Sequence, residues 1–263
     1  MTPETELNGQ QAARPLAGRV VFITGASSGI GARFAIRCAA AGAAVVLGAR
    51  RRERLEAIAS EIAGSGGRAL AVALDVADES SIIAAYDAAE EAFGPVDSVV
   101  ANAGVTATGR AIDLTRDDWD NLYAVNVRGV FLTAREGARR MRRAGTAERG
   151  RIVLIASITA RMHTPGTVAY SSSKAAVTHM GKLLAREWAR SGPNVNLISP
   201  GYIASELVGD WFETEGGQKH IATWPRGRML EENALDDTLL FLLSDASQNV
   251  TGSDFVIDDG QSL

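Results

Sequence analysis

The residues best suited to chemistry in this chain are the phenol and the ammonium of Tyr170-Ser-Ser-Ser-Lys174. Side chains four apart on a helix are neighbours on one face, so these two can act at one site. A phenol ordinarily titrates near pH 10, too high for efficient proton exchange at neutrality. A cation beside it favours the phenolate and lowers that value, each unit being worth about 1.4 kcal/mol. Ser157 stands 13 residues before Tyr170, at the end of an apolar run that reads as a strand. Ligands of open α/β sheets bind at the carboxyl ends of the strands, which is where this hydroxyl falls.

A second candidate lies near the N-terminus. Thr24-Gly25-Ala26-Ser27-Ser28-Gly29-Ile30-Gly31 follows a β-rich run directly and opens a helical pattern. Glycines permit a tight turn and let backbone approach a ligand with no Cβ in the way. The helix N-terminus then offers N–H groups and the positive end of its dipole to a pyrophosphate. The spacing is G-x-x-x-G-x-G rather than the commoner G-x-G-x-x-G, and the strand–loop–helix context is what supports the reading.

Such groups need a scaffold, and the hydrophobic pattern supplies one. Strands are predicted at Arg19 to Thr24, Ala44 to Ala49, Arg68 to Leu74, Val96 to Ala101, Arg151 to Ala156, Asn194 to Ser199 and Asp254 to Ile257. Helices are predicted at about Ser28 to Ala41, Arg52 to Gly64, Glu79 to Phe93, Asp117 to Arg143 and Gly166 to Ser191. Unbroken Val/Ile/Leu runs are the mark of strands buried on both faces. Their alternation with helices predicts an α/β chain, a single-domain Rossmann-type doubly wound parallel sheet of about seven strands with helices on both faces. The domain is expected over residues 17–263, after a flexible N-terminal tail at 1–16. Residues 205–231 break the rhythm and contain no predicted strand. With Trp211, Phe212 and Trp224 they are expected to form an insert over the mouth of the site, a hydrophobic lid for substrate.

From about residue 17 to 260 the sequence resembles the short-chain dehydrogenase/reductase family, in its 3-oxoacyl-ACP reductase-like, ketoreductase branch. That family's cofactor loop reads T-G-x-x-x-G-x-G, matching Gly25, Gly29 and Gly31 together with Ser27, Ser28 and Ile30. Asp75-Val76 looks like its adenine contact, and Asn102-Ala103-Gly104 like its N-A-G motif, with Ala101 where a further asparagine is usual. Pro200-Gly201 and Ile203 match the segment after strand six, and Ser205 stands where the family often places a threonine that contacts the nicotinamide amide. Asn126 matches its active-site asparagine. The resemblance implies Tyr170 as general acid in carbonyl reduction and Ser157 as the hydroxyl that orients the carbonyl oxygen. It implies that Lys174 lowers the tyrosine pKa and binds the nicotinamide ribose, and that Asn126 holds a proton-supplying water chain. It also implies a homotetramer.

The end of the second strand bears on the cofactor. In dinucleotide folds an acid there binds the ribose 2′-OH, whereas arginine accommodates a 2′-phosphate. Here it reads Ala49-Arg50-Arg51, with no carboxylate before Glu53. NADPH/NADP+ is expected, with NADH possible. The leading expectation is reduction of a ketone or 3-oxoacyl carbonyl that carries an apolar arm. The rivals are an NAD-linked alcohol or sugar-alcohol dehydrogenase and a catalytically silent nucleotide sensor.

Composition narrows the field further. At 263 residues the chain can bury roughly 70% of its unfolded surface, and needs no cross-links to fold. Its single cysteine, Cys38, suits a reducing compartment, and three histidines beside it make a zinc site a poor expectation. A net charge of −4 does not point to nucleic acid. The arginine-rich stretch from Arg135 to Arg151 is read as a solvated helix end, and His163 as either a pocket or a surface residue. No apolar run approaches the roughly 20 residues of a spanning helix, and the first residues lack a basic n-region, so a cytoplasmic protein is expected.

Overall fold

Alternate residues of β1, Val20–Thr24, serve two different cores. Side chains along a strand point to opposite faces, and every residue of β1 is buried, so both faces must be covered. Val20 and Phe22 join Tyr86, Val99, Met141 and Leu197 on one side. Val21 and Ile23 join Phe34, Leu55 and Leu239 on the other. The computed structural model in which this is seen describes residues 14–107, 109–204 and 209–263.

Six further strands pair with β1: β2 Ala44–Ala49, β3 Arg68–Ala73, β4 Ser98–Ala101, β5 Arg151–Ile155, β6 Asn194–Pro200 and β7 Asp254–Ile257. All pairs are parallel, in the order β3-β2-β1-β4-β5-β6-β7. Helices α1 (Gly29–Ala40) and α2 (Arg52–Gly64) pack on one face. Helix α3 (Glu79–Phe93) packs on the other, where the Tyr86 ring stacks on Phe22 at 4.4 Å. The first two connections wind outward from β1 and the chain then returns to β4 on its other side. That reversal leaves a crevice at the carboxyl ends of β1 and β4.

The single helix expected from Asp117 to Arg143 is three pieces. Helix α4 (Arg116–Tyr123) runs into a π-helical turn, Ala124–Gly129, and then into α5, Val130–Arg143. Such turns insert an extra residue and re-aim a side chain, and this one contains Asn126, fully buried. Helix α6 spans Val168–Trp188, shorter at both ends than expected. The insert is not featureless, since it forms a short 3₁₀ turn at Gly209–Glu213 and helix α7, Glu215–Ile221. Helix α8, Asp236–Leu243, was not expected. Its run Leu239-Leu-Phe-Leu-Leu243 has no polar period to separate helix from strand, and buried Asp236 fastens it to Arg33 (2.7 Å) and Arg37 (3.0 Å) of α1.

Two further expectations change. The tail boundary at residue 16 moves inward, because Leu16 is fully buried and its N–H donates to Ala41. Residues 1–13 of that tail lie outside the described residues. The arginine stretch is not uniformly solvated. Arg140 is buried among Glu136 (2.7 Å), Asp87 (2.7 Å) and Glu90 (2.8 Å), and Arg151 is buried against the Ser244 and Gly150 carbonyls. Among the described residues no helix is long and apolar enough to cross a membrane, and no cluster could hold a metal ion.

Candidate active site

A cleft of about 970 Å³ opens where the sheet order reverses. Its dinucleotide half is lined by Gly25, by Ser27 to Gly31, by Arg50 and Arg51, by Asp75 and Val76, and by Asn102 to Gly104. The loop is drawn tight against the end of β4. Asn102 Nδ2 donates to the Thr24 carbonyl at 2.9 Å, and the Asn102 and Ala103 N–H groups both donate to Thr24 Oγ1. A Cβ on Gly31 would stand 2.3 Å from the Gly25 carbonyl oxygen, and Gly29 has φ +53°, so this closeness requires glycine at both places.

Ser28 begins α1 but does not cap it through its side chain. Its hydroxyl instead accepts from Arg51 NH2 at 2.6 Å, while Arg51 Nε donates to Ser27 Oγ at 3.1 Å. The guanidinium is thereby laid against the loop, and Gly29 to Gly31, the first turn of the helix, line the cleft. This arrangement fits a dinucleotide, with a helix N-terminus for the pyrophosphate and cations beside the adenosine end.

The other half is lined by Ser157, just after β5, and by Tyr170 and Lys174, one turn apart on α6. Ser157 follows β5, and its Oγ accepts from the Thr159 N–H (3.2 Å) and hydroxyl (3.0 Å). With its lone pairs so occupied, its own proton is the part available to donate. Lys174 is buried, with Nζ donating to the Ile155 carbonyl at 2.9 Å and lying 5.6 Å from the centre of the Tyr170 ring. Asn126 does not line the cleft. Its Oδ1 accepts from the Val105 N–H at 2.8 Å, and its Nδ2 donates to the Val105 carbonyl (2.9 Å) and Ser173 Oγ (3.1 Å). One lone pair of Oδ1 is what remains for a water.

In this geometry the Tyr170 phenol lies above its ordinary value. Burial pushes the phenol up to about 12, against a hydrogen bond from Ser157 that pulls it back, and the Tyr202 phenol adds a smaller upward push. Burial also pushes Lys174 down to about 8. Desolvation is the largest cause for both groups, since both sit in protein and Lys174 Nζ is turned to the Ile155 carbonyl.

The substrate end is aromatic. Pro200, Gly201 and Ile203 line the cleft as expected, and Ser205 lies outside the described residues. Trp211 and Phe212 line it too, but Trp224 does not. Trp224 is buried behind Tyr202, stacked on its ring at 5.3 Å. His163 is an exposed loop residue that does not line the cleft, and His220 does. Tyr202 and His220 were missed by sequence reasoning. Tyr202 carried a signal, since it directly follows Pro200-Gly201 at a strand's carboxyl end. His220 carried none.

The short chain dehydrogenase family model matches residues 19–216. The chain belongs to the short-chain dehydrogenase family. It is 37% identical to a D-threitol dehydrogenase of Mycolicibacterium smegmatis, over 94% of each chain. It is 36% identical to an NADPH-dependent aldehyde reductase-like protein, chloroplastic, of Arabidopsis thaliana, over 94% of this chain and 95% of that one. A crystal structure of a short-chain type dehydrogenase/reductase from Mycobacterium marinum superposes with a TM-score of 0.89 at 37% identity, covering 95% of this chain and 97% of that one. This short-chain dehydrogenase is therefore an oxidoreductase acting on alcohols or carbonyls with a nicotinamide dinucleotide.

The buried lysine of this short-chain dehydrogenase should be visible in its stability. An ordinary lysine titrates near 10.4, so the unfolded chain keeps this proton after the folded chain, at about 8, has released it. Stability from this group therefore rises between about pH 8 and 10.4, and is flat below, where both states hold the proton. Urea midpoints of wild type and Lys174→Met should diverge in favour of wild type across that window, by on the order of 2 kcal/mol. The comparison removes the opposite slope from the buried Cys38 thiol, which both proteins share. A difference independent of pH would mean that the ammonium is solvated.

Proposed function

We propose that this short-chain dehydrogenase is an NADPH-dependent ketoreductase for carbonyl compounds with an apolar arm, and that Ser157, Tyr170 and Lys174 are its catalytic residues. The convergence of those three side chains in one cleft carries the proposal. When bound, the dinucleotide supplies the hydride that reaches the carbonyl carbon. Ser157 donates a hydrogen bond to the carbonyl oxygen, keeping its own proton, and holds that oxygen as charge develops there. Tyr170, protonated at neutral pH as any phenol is, gives up its phenol proton to that oxygen. Lys174, still cationic at neutral pH, faces the phenolate left behind. Asn126 ties α6, at Ser173, to the loop after β4, at Val105. The adenosine end selects NADPH through Arg50 and Arg51, a reading that the likeness to an NADPH-dependent reductase supports.

The likeness to a D-threitol dehydrogenase favours a second reading, oxidation of a polyol. The aromatic wall argues for the first, because rings reward apolar contact and leave polyol hydroxyls without partners. A panel of ketones, keto acids and polyols followed by NADPH oxidation or NADP+ reduction separates them. Aryl or long-chain ketones should exceed pyruvate-sized acids in kcat/KM by a hundredfold or so, from about four buried methylene equivalents at roughly 0.8 kcal/mol each. Faster turnover of small keto acids, or of threitol, would overturn the proposal.

A further inference from the structure

The insert leaves the sheet after β6 and comes back at a narrow neck. There the Leu230 N–H donates to the Tyr202 carbonyl at 2.9 Å, and Ile203 forms an isolated parallel bridge with Leu230. A third segment closes this neck, and it is the C-terminal turn of the chain. Gln261 is buried there, and its Oε1 accepts from the Tyr202 N–H at 2.7 Å. Its Nε2 donates to the Arg228 carbonyl at 3.2 Å and to the Tyr202 carbonyl at 3.5 Å. One amide thus holds both legs of the insert. It fits because residue 201 is glycine, where a Cβ would stand 2.4 Å from Gln261 Oε1.

The turn itself is braced. Asp258 accepts from the N–H groups of Gly260 and Ser262, both at 3.0 Å. Asp259, at φ +51°, pairs with Arg226 (2.8 Å) and Arg228 (2.9 Å) on the returning leg.

What the amide holds is the backbone of Tyr202, and Tyr202 organises the substrate end of the cleft. Its ring is stacked on Trp224, edge-on to Phe212 at 5.0 Å and edge-on to His220 at 6.5 Å. Its phenol is hydrogen-bonded to Thr164 and close enough to Tyr170 to act on that phenol. A shift of residue 202 moves the aromatic wall and leaves Ser157, just after β5, and Lys174, on α6, where they are.

We propose that Gln261 is a positioning residue for substrate selection, fixing through Tyr202 the aromatic wall that admits ketones with a planar aryl arm. The inference rests on the ketoreductase reading for what the cleft binds, and on the hydrogen bonds alone for what the amide holds. The experiment compares wild type with Gln261→Ala, Gln261→Met and Gln261→Glu, using an aryl ketone, a small aliphatic ketone and NADPH binding. In the alanine and methionine variants KM for the aryl ketone should rise tenfold or more with kcat within threefold. The small ketone and the NADPH Kd should change by less than threefold. Glutamate keeps the acceptor for the Tyr202 N–H, so it should recover part of the aryl KM and serves if alanine fails to fold. Acrylamide quenching of tryptophan fluorescence should increase in the alanine variant, because Trp211 and Trp224 lose their support. Equal loss on both ketones, or an unchanged KM ratio, would overturn the proposal, as would tryptophan quenching equal to wild type. If wild type reduces neither ketone, the ketoreductase reading falls and the quenching comparison alone decides the role of Gln261.

Discussion

Tyr170→Phe should lower kcat by about 10²–10⁴-fold, the usual contribution of a positioned general acid. The change removes one oxygen and keeps the ring, its packing and the 5.6 Å relation to the Lys174 ammonium. The dinucleotide half of the cleft lies on the glycine loop and the ends of β2 and β4, so the NADPH Kd should stay within about twofold of wild type. Single-turnover kinetics with a saturating ketone, alongside a fluorescence titration of NADPH, makes both measurements. A variant that keeps more than a tenth of the wild-type rate would sink the assignment of the acid, and a large loss of cofactor affinity would show that the phenol holds the dinucleotide instead.

The second large effect concerns the cofactor. Wild type should prefer NADPH over NADH by tenfold or more in kcat/KM, on the order of 1.4 kcal/mol. Arg50→Ala combined with Ala49→Asp should abolish or reverse that preference. The substitution removes a guanidinium that can bind a phosphate through paired donors, and places a carboxylate where it meets a ribose 2′-OH. Arg51 is held against Ser27 and Ser28 and remains in the variant, so some residual phosphate affinity should survive. Equal use of both cofactors by wild type would show that the arginines only begin α2.

Much of this protein is legible in its residues because the signals are local. The βα rhythm follows from runs of five or six apolar residues, and the bounds of β2, α2, α3 and β7 fall where the pattern puts them. The glycine loop needs only its own spacing and the strand before it. Tyr170 and Lys174 meet because one turn of helix brings them together, and Ser157 joins them because a parallel sheet carries its reactive groups at one end. The sign of the Tyr170 shift was not legible, since desolvation depends on everything packed around the phenol.

The remaining features come from contacts between distant segments, which no local pattern encodes. The π turn at Asn126 bonds to Val105 and Ser173, 21 and 47 residues away. Arg51 reaches Ser27 and Ser28 across the gap between two βα units. Trp224 and His163, two of the candidates for the substrate end, lie outside the cleft wall, while Tyr202 and His220 form it. An aromatic residue in an irregular segment has no period to say which way it faces; packing decides that. Gln261 shows the same most plainly: its partner Tyr202 is 59 residues away. The chain's own order determined which elements form and where chemistry is possible. Only the tertiary structure, by pressing the C-terminal turn onto the neck of the insert, decided the shape of the space where a substrate would lie.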